Sequence, residues 1–326
     1  MEKKAVGLLS GGLDSTLAVK LMLEQGVEVF VINFITPFCT CTRKGCKLEA
    51  RRVSEEFSIN LKINPVGEEY IAIVKNPKYG YGKNMNPCID CRIFMFSRAK
   101  DYMEEIKASF IFTGEVLGER PMSQRLSAMR LIERESGLED RILRPLSAGL
   151  LKPTIPEREG IVDRARLFSI QGRSRKPQMK LARELGIVDY PCPAGGCRLT
   201  DSNFAERLRE SFRHGEESLG DINLLKYGRH FRLQDRTKVI VGRNENENAL
   251  ICSLKSVDDL LFEVIDSPGP VTLLRGNKNP ESILFAAALC ARYSDGEGKL
   301  RVGYDDNKVI TAEPITEDEL QKQIIR

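Results

Sequence analysis

Residues 5–15 read Ala5-Val6-Gly7-Leu8-Leu9-Ser10-Gly11-Gly12-Leu13-Asp14-Ser15. The first five form a short apolar run, expected to be a buried strand, and Thr16-Leu17-Ala18-Val19-Lys20-Leu21-Met22-Leu23 reads as a helix. Two glycines therefore sit at a strand-to-helix turn, flanked by two hydroxyls and one carboxylate. Such a turn can hold an anion. The helix N-terminus offers unpaired N–H groups and the positive end of a dipole, and glycine lets the backbone close around a phosphate. Ser10 and Ser15 can donate to phosphate oxygens, and Asp14 is placed to hold Mg²⁺ beside them. An ordinary tight turn with a Ser or Asp helix cap is the plainer alternative. Two common phosphate loops are excluded, because neither Gly-Lys-Ser/Thr nor Gly-x-Gly-x-x-Gly is present here.

Outward from this turn, strands alternate with helices over the first 150 residues. Residues 27–34, 59–66, 109–113 and 141–146 read as strands, and 47–57, 91–106 and 123–135 as helices. The pattern predicts an α/β domain with a parallel sheet covered on both faces. Its ligand site is expected at the C-terminal ends of the strands. Asn33, and Gly114 within Thr113-Gly114-Glu115, fall at such ends, where they could approach an adenosine or simply make strand-end turns.

The string Ser10 to Ser15 resembles the signature loop of the PP-loop ATP pyrophosphatase family. The resemblance implies that Ser10, Gly11, Gly12, Leu13, Asp14 and Ser15 bind ATP. It also implies adenylation of a substrate oxygen with release of pyrophosphate.

The apolar and charged fractions, 41% and 29%, are those of a soluble globular protein. No apolar run approaches a membrane span, and Met1-Glu2-Lys3-Lys4 leads straight into a strand, so a cytoplasmic protein without a membrane partner is expected. A net charge of +4 permits nucleic-acid binding without arguing for it. There are nine cysteines and only two histidines, His214 and His230. In a reducing compartment the cysteines are not expected to form structural disulfides. Cys252 and Cys290 stand alone in apolar runs and read as core residues, whereas Cys39, Cys41 and Cys46, Cys88 and Cys91, and Cys192 and Cys197 are clustered. The first cluster, three cysteines without a fourth ligand, stays unassigned. Cys88-Ile89-Asp90-Cys91 is expected at a helix N-terminus, where the dipole lowers thiol pKa. A thiolate there can attack sulfur, carry a persulfide or bind a metal.

The string Asn86-Pro87-Cys88-Ile89-Asp90-Cys91, in one chain with a PP-loop, resembles tRNA 2-thiouridylases of the MnmA type, with the ThiI and TtuA types as relatives. Leu143-Arg144-Pro145-Leu146 and Lys152-Pro153 are similar to the corresponding part of those enzymes. The resemblance implies an ATP-dependent tRNA sulfurtransferase with Cys91, Cys192 or Cys197, and Asp14 as catalytic residues. Its partners would be tRNA and a sulfur donor, either a desulfurase persulfide or free sulfide. Two routes are open. Cys91 and Cys192 or Cys197 could exchange a persulfide and resolve as a disulfide. Alternatively Cys88, Cys91 and Cys192 or Cys197 could hold a [4Fe–4S] cluster with one iron open to sulfide. Nothing in these residues resembles the RNA-binding β-barrel of the MnmA type, so the modified position is not expected to carry over.

From Arg164 to Arg183 there are seven basic residues (Arg164, Arg166, Arg173, Arg175, Lys176, Lys180, Arg183) and no acidic one, a run suited to phosphate backbones. From about residue 215 the texture changes to a smaller α+β domain. Val241-Gly242-Arg243-Asn244-Glu245-Asn246-Glu247-Asn248 and Pro268-Gly269-Pro270-Val271 resemble the NFACT-R domain, which implies RNA binding, although Glu263 stands where that family often has histidine. The expected organisation is 1–150 as the PP-loop domain, 151–214 as a basic, cysteine-bearing extension, and 215–326 as the NFACT-R-like domain. An RNA- or ribosome-binding adaptor with a regulatory or vestigial ATP site is the alternative of a different class. A PP-loop enzyme acting on a small molecule or sulfur carrier is the third.

Overall fold

A computed structural model describes residues 2–39, 46–190, 197–234 and 236–325. Cys41 and Cys192 lie outside these residues. The chain divides into two compact units, Met1–Thr200 and Asp201–Arg326.

The first unit runs β1 (Lys4–Leu8), α1 (Leu13–Glu24), β2 (Glu28–Ile35), α2 (Cys46–Glu56), β3 (Asn60–Pro65), α3 (Glu68–Lys75), α4 (Cys88–Glu105), β4 (Phe110–Thr113), α5 (Leu126–Glu135), β5 (Ile142–Leu143), α6 (Ile155–Arg158) and α7 (Lys176–Glu184). Its five strands pair in the order β3-β2-β1-β4-β5, and every pair is parallel. Both faces of β1 are covered, and alternate residues feed two cores. Ala5 and Leu9 join Leu13, Leu17, Phe110 and Phe112 on one side. Val6 and Leu8 join Ile32, Phe96, Ile111 and Ile132 on the other. The register Leu8↔Ile32 and Leu8↔Thr113 brings the C-terminal ends of β1, β2 and β4 to one edge. There the chain leaves β1 for the Gly-Gly turn.

Several elements of the first unit differ from the sequence expectation; α5 begins at Leu126 rather than residue 123. α4 begins at Cys88 rather than residue 91, because Pro87 supplies the N-cap and Cys91 N–H donates to its carbonyl at 2.8 Å. The strand expected over 141–146 shrinks to Ile142–Leu143, since Arg144 turns into a buried ion-pair network and Pro145 follows. α3 had no sequence signal strong enough to propose it.

The second unit runs α8 (Ser202–Arg213), α9 (Leu219–Leu224), β6 (Arg229–Arg232), β7 (Lys238–Val241), α10 (Glu245–Ser253), β8 (Leu260–Val264), β9 (Thr272–Arg275), α11 (Pro280–Arg292), β10 (Leu300–Tyr304), β11 (Lys308–Ala312), α12 (Glu317–Gln323) and β12 (Ile324–Ile325). Its antiparallel sheet has the order β11-β10-β8-β9-β7-β6-β12. Ala286, Ala287, Leu289 and Cys290 of α11 are buried in one core with Phe231, Val239, Phe262 and Leu274 of the sheet. The polar stretch 244–248 caps and opens α10. Asn244 is its N-cap and accepts from Glu247 N–H at 3.0 Å. This also corrects Cys252. Four consecutive apolar residues on a helix cannot share one face; Ile251 is buried and Cys252 is exposed. Among the described residues no helix is long and apolar enough to cross a membrane.

Candidate active site

After β1 the backbone is tied to β2 by Leu9 N–H donating to Ile32 C=O at 3.0 Å. Gly12 caps α1, and its carbonyl accepts from Thr16 N–H at 3.0 Å, Ser15 Oγ at 2.8 Å and Thr16 Oγ1 at 3.1 Å. Ser10 Oγ lies 3.2 Å from Ser15 Oγ. Two glycines are required here. Gly11 has φ +77°, and a Cβ on it would lie 2.4 Å from Glu49 Cβ. A Cβ on Gly114 would lie 2.4 Å from the Asp14 carbonyl oxygen. The end of β4 therefore presses on the first turn of α1.

These strand ends open into a cleft of about 400 Å³, lined by Ser10, Gly12, Leu13, Asp14, Ser15, Asn33 and Gly114 together with Cys39, Cys88, Cys91 and Cys197. Asn33 is buried and donates from Nδ2 to Leu9 C=O at 2.7 Å, which leaves Oδ1 without a partner. Asp14 Oδ1 is likewise buried and unpartnered. Burial pushes the Asp14 carboxyl up, against the pull of Arg175 and Arg120. Glu119 is pushed up by burial and by Asp14, and the same two arginines oppose the shift. Two carboxylates and two guanidinium groups thus line one cleft and act on one another electrostatically. Carboxylate oxygens suit Mg²⁺ and arginines suit phosphate, so the residues present fit a magnesium–nucleotide.

The cysteines occupy the same cleft. Tyr70 Oη donates to Cys91 Sγ at 2.9 Å. The Tyr70 ring is buried, with ring centroids of Phe38 at 5.9 Å and Phe94 at 5.6 Å. The expected lowering of the thiol pKa by the helix dipole is overturned. Burial pushes Cys88 and Cys91 up in spite of Arg92, and it pushes Cys197 up to about 12. Desolvation of the thiolate outweighs one helix terminus. Cys39, unassigned from sequence, is close enough to act electrostatically on Tyr70, Cys91 and Cys197. Cys192 lies outside the described residues. Among the described residues no three His, Cys, Asp or Glu side chains are grouped as a metal ion would require.

Glu115 is only 2% exposed and is held between Arg92 at 3.3 Å and Arg144 at 3.1 Å, and Arg144 also pairs with Glu133. Its carboxylate is thus engaged by arginines. The basic run is partly structural as well. Arg164 pairs with Glu157, Arg166 donates to Glu24 C=O at 3.1 Å, and Arg175 lines the cleft. Arg173, Lys176, Lys180 and Arg183 stay exposed. The sequence reading missed Tyr70, Arg92, Glu119 and Arg120, which all line the cleft. Glu119 and Arg120 follow β4 at the ligand-binding edge and could have been found from that position. Tyr70 sits on the unforeseen α3.

Residues 1–162 match the family described as thiamine biosynthesis protein (ThiI), and residues 228–324 match the NFACT protein RNA binding domain. The N-terminal domain is a ThiI-like PP-loop domain, and an NFACT-R domain follows it. The tRNA-specific 2-thiouridylase MnmA of Pelotomaculum thermopropionicum is 36% identical over 129 residues, 35% of either chain. A probable tRNA sulfurtransferase of Ureaplasma urealyticum is 32% identical over 153 residues, 44% of this chain and 36% of its own. The chain spans about a third of the length of these curated relatives. A crystal structure of a 4-thiouridine synthetase–RNA complex with bound ATP is 25% identical, with TM-score 0.37, over 56% of this chain and 51% of that one. The chain is thus related to tRNA sulfurtransferases at modest identity.

In the NFACT-R domain, the residues that carry the sequence resemblance build the β7–α10 turn. Glu247 binds Arg243 Nε at 2.9 Å and accepts from Gly228 N–H at 3.0 Å, so Arg243 is engaged within the fold.

Proposed function

We propose that the chain is an ATP-dependent tRNA sulfurtransferase that works through thiols. The observation that carries the reading is the buried Asp14 Oδ1, without a hydrogen-bond partner at the strand-to-helix turn, on a residue that lines the same cleft as Cys91 and Cys197. Activation and sulfur transfer then need no movement of substrate between sites.

The turn residues Ser10 to Ser15, with Arg120 and Arg175, bind the phosphates of ATP. Asp14 and Glu119 would hold Mg²⁺, which neutralises phosphate charge when bound. Asn33 Oδ1 and the backbone at Gly114 are left to meet the adenosine. A uridine carbonyl oxygen attacks the α-phosphorus, the bond to the β-phosphate oxygen breaks, and pyrophosphate leaves. The terminal sulfur of a Cys91 persulfide then attacks the activated carbon and AMP departs. A second thiol, Cys197 or Cys192, attacks Cys91 Sγ. This forms an enzyme disulfide and releases the thiocarbonyl on the RNA, and an external thiol reductant restores the enzyme. Tyr70 holds the Cys91 sulfur throughout. The related sulfurtransferases and the NFACT-R domain support tRNA as the partner.

AMP formation from α-labelled ATP tests the first half. It should require tRNA and fall at least hundredfold in Asp14→Ala. An Asp14→Ala protein with wild-type AMP release would remove the PP-loop from the mechanism.

A further inference from the structure

A second cavity, of about 360 Å³, lies along the open edge of the parallel sheet, between α5, β5 and the segment leading into α6. None of its lining residues belongs to the cysteine-bearing cleft. Arg144 contributes to its wall and is 3% exposed. Its Nε donates to Glu115 at 3.1 Å and its Nη1 to Glu133. The remaining nitrogen, Nη2, is buried and has no hydrogen-bond partner. A guanidinium so fixed by two carboxylates cannot turn to satisfy that nitrogen, and a buried donor left unpaired is costly.

The lining charges point the same way. Of the cavity's four carboxylates, Glu133 is matched by Arg144, Asp140 by Arg158 at 3.0 Å and Glu157 by Arg164, while Glu139 is exposed. Arg130 and Lys152 line the cavity and are exposed, with no carboxylate partner among the described residues. Arg134 lines it too, with only a 3.9 Å contact to Glu135. The cavity therefore has in its wall a buried guanidinium with one unpaired nitrogen, and two exposed cations in its lining.

We propose that this edge cavity, lined by Arg144, Arg130 and Lys152, binds a phosphate-type oxyanion that would engage the unpaired Arg144 nitrogen and the two exposed cations. The phosphate could come from an RNA backbone or be free in solution. Planar guanidinium donors and a mobile ammonium are the usual means of holding such a group. The site goes beyond the sulfurtransferase reading and does not depend on it.

The test is calorimetric titration of the full chain with inorganic phosphate, with the nucleotide cleft filled by a non-hydrolysable ATP analogue. The wild type should bind phosphate saturably, and Arg130→Ala/Lys152→Ala should weaken that binding at least tenfold with an unchanged thermal midpoint. AMP formation should persist in this variant at saturating tRNA, which separates the proposal from the reading of the cleft. A salt series of tRNA binding identifies the source. If the phosphate is the RNA backbone's, the variant loses about one to two units of the slope of log K against log salt, and tRNA displaces phosphate. If it is free phosphate, tRNA binding is unchanged while the phosphate isotherm still weakens. Absence of saturable phosphate binding in the wild type, or an isotherm unaltered by the double substitution, would overturn the proposal.

Discussion

In the proposed reaction Asp14 and Cys91 serve separable halves. Cys91→Ser should abolish sulfur transfer while tRNA-dependent AMP formation continues, as measured by label release and thionucleoside content in parallel. Loss of both in a folded protein would make Cys91 part of the nucleotide site instead. Tyr70 offers a finer test. Its hydroxyl donates to Cys91 Sγ and favours the thiolate, against burial that raises the thiol. Burial pushes the Tyr70 hydroxyl itself well up, so it stays protonated and remains a donor while the thiol titrates. Tyr70→Phe should therefore shift the pH profile of Cys91 alkylation upward and slow the reaction near neutrality by roughly tenfold, the worth of about 1.4 kcal/mol of hydrogen bonding. An unmoved profile would mean that the contact does not act on the thiol. The place of Asp14, Asn33, Cys88 and Cys91 in one cleft was legible in sequence because each falls at a strand end or in a short fixed spacing. The state of the thiols was not. Burial depends on Phe38, Phe94 and the return of Cys197 from a hundred residues away, and no local pattern encodes that.

At the scale of elements, the cleft depends on how tightly the end of β4 meets α1. Gly114→Ala places a methyl group 2.3 Å from the Asp14 carbonyl carbon and 2.5 Å from Ser15 N, both backbone atoms that cannot swing aside. The strand and helix must separate, at a cost of about 1–3 kcal/mol. ATP affinity should fall with stability. Chemical denaturation and nucleotide titration would show both effects, and a stable variant with normal affinity would contradict the packing described. The buried strands were legible because a parallel sheet covered on both faces demands continuous apolar runs. Elements at the margins were less so. α10 begins in four polar residues that resemble a turn until Asn244 is seen to cap them, and β5 is cut short by tertiary ion pairs of Arg144 rather than by its own propensity.

At the scale of the whole molecule, each unit has its own polar as well as apolar core. In the second unit Glu216 accepts from Arg232 Nη2 and from Lys238 Nζ, each at 2.8 Å, and its carboxyl is lowered to about 2 from an ordinary 4.5. A carboxyl lowered in the folded state stabilises it fully above the unfolded value. That stabilisation is lost as pH falls from about 4.5 through about 2. Glu216→Gln, which leaves two cations without their shared partner, should cost about 3 kcal/mol near neutrality. The difference from wild type should shrink as pH falls through that window. Hydrogen exchange of the β6–β7 amides reads this unit separately from the first, and a pH-independent difference would refute the electrostatic origin. The joining of a PP-loop domain to an NFACT-R domain underlies the central claim that ATP-driven sulfur transfer is directed to RNA. The most direct measurement is nucleoside mass spectrometry of tRNA incubated with the purified full-length protein, ATP, Mg²⁺, a persulfide donor and a thiol reductant. The account predicts a thiouridine that appears only with ATP and disappears in both Asp14→Ala and Cys91→Ser. A thiouridine formed equally without ATP, or unmodified tRNA from a protein that releases AMP on a small molecule alone, would contradict it.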